Sequence, residues 1–107
     1  MKINDIYTAY VEWPGGGKRR PVLILSNDEK IVRVFKITSQ YAKKSPSVQK
    51  YYYRIKLWNK AGLKKPSFID TISVENLLKS KVGFYRIGSL QLVDKKGLVN
   101  FLQSRHP

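Results

Sequence analysis

The residues best suited to chemistry lie between Trp13 and Asn27, in the stretch W-P-G-G-G-K-R-R-P-V-L-I-L-S-N. Three consecutive glycines meet three consecutive cations, Lys18, Arg19 and Arg20, immediately before Pro21. A guanidinium presents a planar fork of donors that matches two phosphoryl oxygens, so Arg20 suits stabilisation of charge building up on a phosphate. Thr38, Ser39 and Gln40 end a second apolar run and offer hydroxyl and amide hydrogen bonds at the same rim. Residue type alone does not separate these roles from ordinary ones, a solvated cation and a strand-end threonine.

The residues that are missing narrow the chemistry. The chain has no cysteine and one histidine, His106, which argues against thiolate chemistry, a His-based metal site and a Ser-His-Asp set. Carboxylates do not cluster at Mg²⁺ spacing, and G-G-G-K-R-R does not fit the phosphate-cradling pattern G-x-x-x-x-G-K-[ST]. No metal or cofactor is expected. An enzyme acting on RNA within these limits works without metal and without imidazole. RNA allows this because its own 2′-OH is a nucleophile held beside the scissile phosphorus; the protein orients it, moves protons and stabilises negative charge.

Charge points to the same class of partner. Lys and Arg number 21 against 7 Asp and Glu, a net charge of +14. Such an excess repels itself, and a polyanion relieves it; nucleic acid is the commonest. A membrane is disfavoured: no basic amphipathic helix is evident, and no apolar run approaches the roughly 20 residues of a spanning helix. Met1 to Asp5 lacks the apolar core of a secretory leader, and the absence of cysteine fits a cytoplasmic protein. With 107 residues, 42% of them hydrophobic, one domain with a modest core is expected.

The elements that must position these residues follow from the apolar patterning. Strands are expected over Ile3–Trp13, Pro21–Ser26, Ile31–Thr38, Tyr51–Leu57, Ser67–Ile72 and Phe84–Ser89. Val22–Leu25 is wholly apolar and reads as a strand buried on both faces. Gly15–Gly17 reads as a mobile loop that delivers the cations to the lip of that strand. Asn27–Lys30 makes a tight turn, Ser39–Lys50 an exposed loop interrupted by Pro46, and Trp58–Pro66 a turn region. Ser73–Asn76 either caps a short helix over Val74–Leu78 or continues the strand with a bulge. From Gln91 the period changes. Leu90, Val93, Leu98, Phe101 and Leu102 lie near helical spacing, with Asp94 and Arg105 placed to match the dipole and Gly97 costing about 1 kcal/mol. Tyr51–Tyr53 either offers a stacking face for unpaired bases or completes the core, and Trp13 and Trp58 read as core or dimer-contact residues rather than base readers. The class is α+β: a small, mostly antiparallel sheet curling into a barrel-like body, with one C-terminal helix.

The blocks R-R-P-V-L-I-L-S-N-D and V-R-V-F-K-I-T-S-Q together resemble the MazF/PemK family of toxin endoribonucleases. G-L-K-K-P-S-F-I-D, from Gly62 to Asp70, is similar to the family's segment before its fifth strand, and R-I-G-S-L, from Arg86, to its ending. The blocks occur in the family's order over nearly the whole chain. The resemblance implies an SH3-like barrel that forms a homodimer and cuts single-stranded RNA at short sequences. Given that resemblance, the charge of +14 predicts an acidic antitoxin whose flexible tail covers the Trp13–Arg20 loop and the Thr38 rim. The family's catalytic arginine and threonine fall on Arg20 and Thr38, and Asp70 is the nearest match to an acid that some members use. Lys18, Arg19, Ser39, Gln40 and Ser67 are the expected RNA contacts, Ser67 matching a serine that also suits a structural role. Lys43 and Lys44, which match no landmark of the family, complete that set. The short G-G-G-K-R loop departs from many members, so the cutting sequence does not transfer. Two alternatives stay open: a non-catalytic basic RNA-binding barrel, and a gyrase-poisoning toxin of the same fold.

Overall fold

In the computed structural model, which describes residues 1–105, the cationic stretch belongs to a strand rather than a loop. Strands β1 (Asp5–Trp13) and β2 (Gly16–Asn27) form an antiparallel hairpin whose register pairs Trp13 with Gly16, Glu12 with Gly17 and Ala9 with Arg20. Only Pro14 and Gly15 lie outside the ladder, and Gly15 takes φ 89°, which the tight turn requires. The expected mobile Gly15–Gly17 loop is therefore corrected. Gly16 and Gly17 serve the sheet by lacking side chains: a Cβ on Gly17 would run into the Tyr10 ring, and one on Gly16 would press on the Trp13 indole. Trp13 covers glycine backbone at the tip and stays about half exposed, so it is not a core residue.

Strand β3 (Ile31–Thr38) follows the Asn27–Lys30 turn, in which the Asp28 carboxylate accepts hydrogen bonds from the amides of Lys30 and Ile31. These bonds hold its pKa below the ordinary carboxylate value. The expected exposed loop after β3 carries a 3-10 turn, Tyr41–Lys43, and a single helical turn, α1 (Pro46–Gln49), with no buried residue in either. Strand β4 is short (Tyr52–Arg54), well inside the expected Tyr51–Leu57, because the chain then turns to run beneath the C-terminal helix. Strand β5 (Phe68–Leu78) continues without a helix over Val74–Leu78. Its pairing with β3 jumps from Lys36–Asp70 to Val34–Glu75, so extra residues loop out between them as an irregularity in the ladder. Strand β6 (Tyr85–Ser89) and helix α2 (Leu92–Ser104) complete the chain.

All pairings are antiparallel, in the order β4-β5-β3-β2-β1-β6. The sheet does not close: β4 and β6 are its edges, so the body is α+β and barrel-like in curl only. Both faces of its centre are buried. Leu23, Phe35, Ile37 and Ile69 face one core with Ile55, Leu63, Leu90 and Leu98. Val22, Ile24, Val32 and Val34 face another with Ala9, Val11 and Leu77. Each such aliphatic side chain contributes about 1.5–3 kcal/mol by leaving water.

Helix α2 packs through Leu98, Phe101 and Leu102, as its spacing predicts, whereas Val93 is exposed. Asp94 is not a surface dipole residue. It is fully buried and accepts hydrogen bonds from the Tyr53 hydroxyl (2.8 Å), the Lys56 amide (2.8 Å) and the Leu57 amide (2.9 Å). A buried carboxylate is tolerated only when so satisfied. Gly97 is what this arrangement needs, since a Cβ there would collide with the Tyr53 hydroxyl. Tyr52 and Tyr53 are both buried, which settles the Tyr51–Tyr53 alternatives in favour of the core for these two. Among the described residues no helix is long and apolar enough to cross a membrane. His106 lies outside the described residues.

Candidate functional site

A groove of about 490 Å³ opens where β2 and β3 meet the segment before β5. It brings together Arg20, Thr38, Ser39, Gln40 and Ser67, together with Lys18 and Arg19 from the hairpin. Sequence reasoning missed two further cations on its wall, Lys64 and Lys65. They lie in the G-L-K-K-P-S-F-I-D block and read there as part of a turn; two adjacent lysines beside a site serine were the available signal.

Arg20 sits within strand β2, half-buried, and its Nη2 donates to the carbonyl oxygen of Ile37 at 3.3 Å. Among the described residues its Nε is buried with no partner, and no carboxylate forms an ion pair with it. Burial lowers its pKa from the usual arginine value, against the opposing pull of the nearby Asp70 and Glu75 carboxylates. Arginine nonetheless stays charged in proteins. The result is a fixed cation whose charge no contacting carboxylate neutralises, at the wall of a groove. That arrangement favours an anion.

The residues around it are locked by local bonds. Thr38 is buried, and its Oγ1 accepts from the Gln40 amide at 3.0 Å, which leaves the hydroxyl proton free to donate. Ser67 is buried as well and donates to the Lys65 carbonyl oxygen at 2.8 Å, tying the lysine pair to the start of β5. Arg19 is held structurally, since its Nη1 contacts the Thr8 carbonyl oxygen (3.2 Å), Thr8 Oγ1 (3.3 Å) and the Gly83 carbonyl oxygen (2.7 Å). Its guanidinium also lies over the Tyr85 ring, 5.1 Å from the centre. It fastens the β6 edge to the hairpin while bordering the groove.

Asp70 does not line this groove. It is buried, accepts from the Ile72 amide at 3.0 Å, and lies 3.9 Å from Lys36 Nζ, which also pairs with Glu75 at 3.5 Å. Its influence on Arg20 is through its charge. Lys43 lines a neighbouring depression with Ser39, Gln40 and Lys65, and Lys44 lines neither that one nor the main groove.

The far wall is held by backbone contact. Gly62 takes φ 97°, and its Cα lies against Gly88 on β6; a Cβ on either would collide with a carbonyl oxygen of the other segment, Ile87 or Ala61. The Asp94 bonds to Lys56 and Leu57 fix the beginning of the same wall. The arrangement can therefore hold an extended polyanion along a cationic groove that the Arg20 guanidinium and Thr38 both line. Among the described residues, no three His, Cys, Asp or Glu gather as a metal site. No protein-family model matches the chain, and no curated protein matches it.

Proposed function

We propose that this protein is a metal-independent endoribonuclease of the MazF/PemK toxin type that cuts single-stranded RNA. The observation that carries the reading is the half-buried Arg20 guanidinium, without an ion-paired carboxylate among the described residues, in one groove with Thr38. In the proposed reaction the RNA 2′-OH attacks the adjacent phosphorus and the bond to the 5′-oxygen breaks. The products are a 2′,3′-cyclic phosphate and a 5′-hydroxyl; one proton leaves the 2′-OH and one is delivered to the 5′-oxygen. Arg20 offsets the charge that accumulates on the phosphoryl oxygens, and the Thr38 hydroxyl donates to one of them. Lys18, Lys64 and Lys65 track the backbone on either side.

The same reading supplies an acidic antitoxin, whose tail lies in the cationic groove, a homodimer and a cytoplasmic setting. One observation favours a second reading, RNA binding without cutting: among the described residues no carboxylate lines the groove to take the 2′-OH proton. Incubation with a long unstructured RNA in EDTA, followed by mapping of the ends, separates the two. Cyclic-phosphate and 5′-hydroxyl ends support the nuclease; retention of intact RNA with steeply salt-dependent binding supports the binder.

A further inference from the structure

A second depression, of about 550 Å³, adjoins the cationic groove and shares Ser39 and Ser67 with it. Its lining has a different chemistry. Tyr41, Trp58 and Phe68 supply aromatic surface, and Arg54 and Lys56 stand at its polar edge. Phe68 is buried and acts as a fixed platform: the Tyr41 ring stacks on it at 4.3 Å with an interplanar angle of 11°, and the Arg54 guanidinium lies 5.4 Å from its centre. Trp58 is half-buried against the main core, so its indole is held from behind. Arg54 is exposed and makes no hydrogen bond to another described residue, which leaves its donors available.

We propose that this depression is a nucleobase subsite, receiving one unpaired base whose neighbouring phosphate lies in the Arg20 groove. The inference rests on the RNA reading above and deepens it. A base has an apolar face and a polar edge, and the depression matches both. Tyr41 and Trp58 meet the face, while Arg54 and Lys56 meet the edge as donors. Among the described residues no carboxylate or amide side chain lines it and its two charged side chains are cations, so a base edge rich in acceptors is favoured. Guanine, with O6 and N7 side by side, is the base that an arginine fork reads best. The preferred base is therefore guanine over adenine.

The test uses RNA octamers with 2′-fluoro sugars throughout, which cannot cleave themselves, so binding is read apart from any reaction. In a Trp13→Phe background, where Trp58 is the remaining indole, saturating octamer with one guanine among uracils quenches the fluorescence, and the octamer with adenine at that position binds more weakly. Arg54→Ala, an exposed change that does not threaten the fold, reduces the guanine-over-adenine preference by about 5- to 150-fold. Unchanged Trp58 fluorescence at saturation overturns the inference, as does an Arg54→Ala protein that keeps the preference. If the octamers bind as expected but unmodified RNA is never cut, the subsite stands and the nuclease reading falls. If RNA is cut but Arg54→Ala keeps the base preference, the reverse holds.

Discussion

Arg20 reaches from β2 across to β3 and donates through Nη2 to the carbonyl oxygen of Ile37, the residue immediately before Thr38. The guanidinium is thereby fixed relative to the threonine by the same backbone that carries it, so the pair needs no loop closure to come together. Arg20→Ala is expected to lower RNA cleavage by about 10²–10³-fold, the usual cost of losing one preorganised charge-stabilising group. Its melting temperature should stay close to the parent's. Arg20→Lys should recover little, because an ammonium cannot hold Ile37 and a phosphate with one planar fork. Wild-type cleavage rates in both variants would remove Arg20 from the reaction.

Asp94 tests the wall of the groove. Asp94→Ala leaves the buried Tyr53 hydroxyl and the amides of Lys56 and Leu57 without their acceptor. A loss of about 3 kcal/mol is expected from those charge-assisted bonds together, read as a lower denaturation midpoint. A change within about 0.5 kcal/mol, the ordinary range for surface substitutions, would mean that the carboxylate is solvated.

Alkaline pH addresses the other end of that bond. Burial, then the bond to Asp94 and its charge, raise the Tyr53 pKa above the ordinary value of 10.0. The folded state thus prefers the neutral phenol. Its contribution to stability is whole below pH 10.0 and declines as pH rises above that value. Denaturant titrations between about pH 8 and 11 should show falling stability in the parent and a shallower fall in Tyr53→Phe. Equal slopes would contradict this assignment.

Gly97 gives a prediction of sign. Helix propensity alone says that Gly97→Ala stabilises by about 1 kcal/mol. The Tyr53 ring stands where the new methyl group would go. Overpacking of that kind costs about 1–3 kcal/mol, so the variant should melt lower, not higher. A raised melting temperature would place the ring elsewhere.

Much of the frame was legible because hydrophobic periodicity reports burial directly. Ile31–Thr38 is a strand with the expected bounds, the both-faced burial of Val22 to Ile24 followed from an unbroken apolar run, and the C-terminal helix followed from Leu98, Phe101 and Leu102. What escaped depended on partners distant in sequence. Gly16 and Gly17 signalled a loop, but their missing side chains make room for Trp13 and Tyr10 across the hairpin. Asp94 signalled a helix terminus, but it serves two amides and a hydroxyl from residues about forty positions earlier. At the candidate site, Arg20, Thr38, Ser39 and Gln40, singled out by type and position, and Ser67, singled out by resemblance, share a groove. Lys64, Lys65 and Tyr41 were not singled out, because the turns that gather them carry no period to read, and Arg54, on β4, showed only as one outward position of a strand.

The contact between Gly62 and Gly88 has a consequence for how this molecule can change. Their backbones touch with no side chain between them, so the segment that walls the groove is seated directly on the edge strand. Neither position can accept even a methyl group without prising the two apart. Variation at this surface is thereby steered away from this joint and onto Lys64 and Lys65, which are exposed on a wall that cannot itself be thickened, and onto Arg54 on the neighbouring β4.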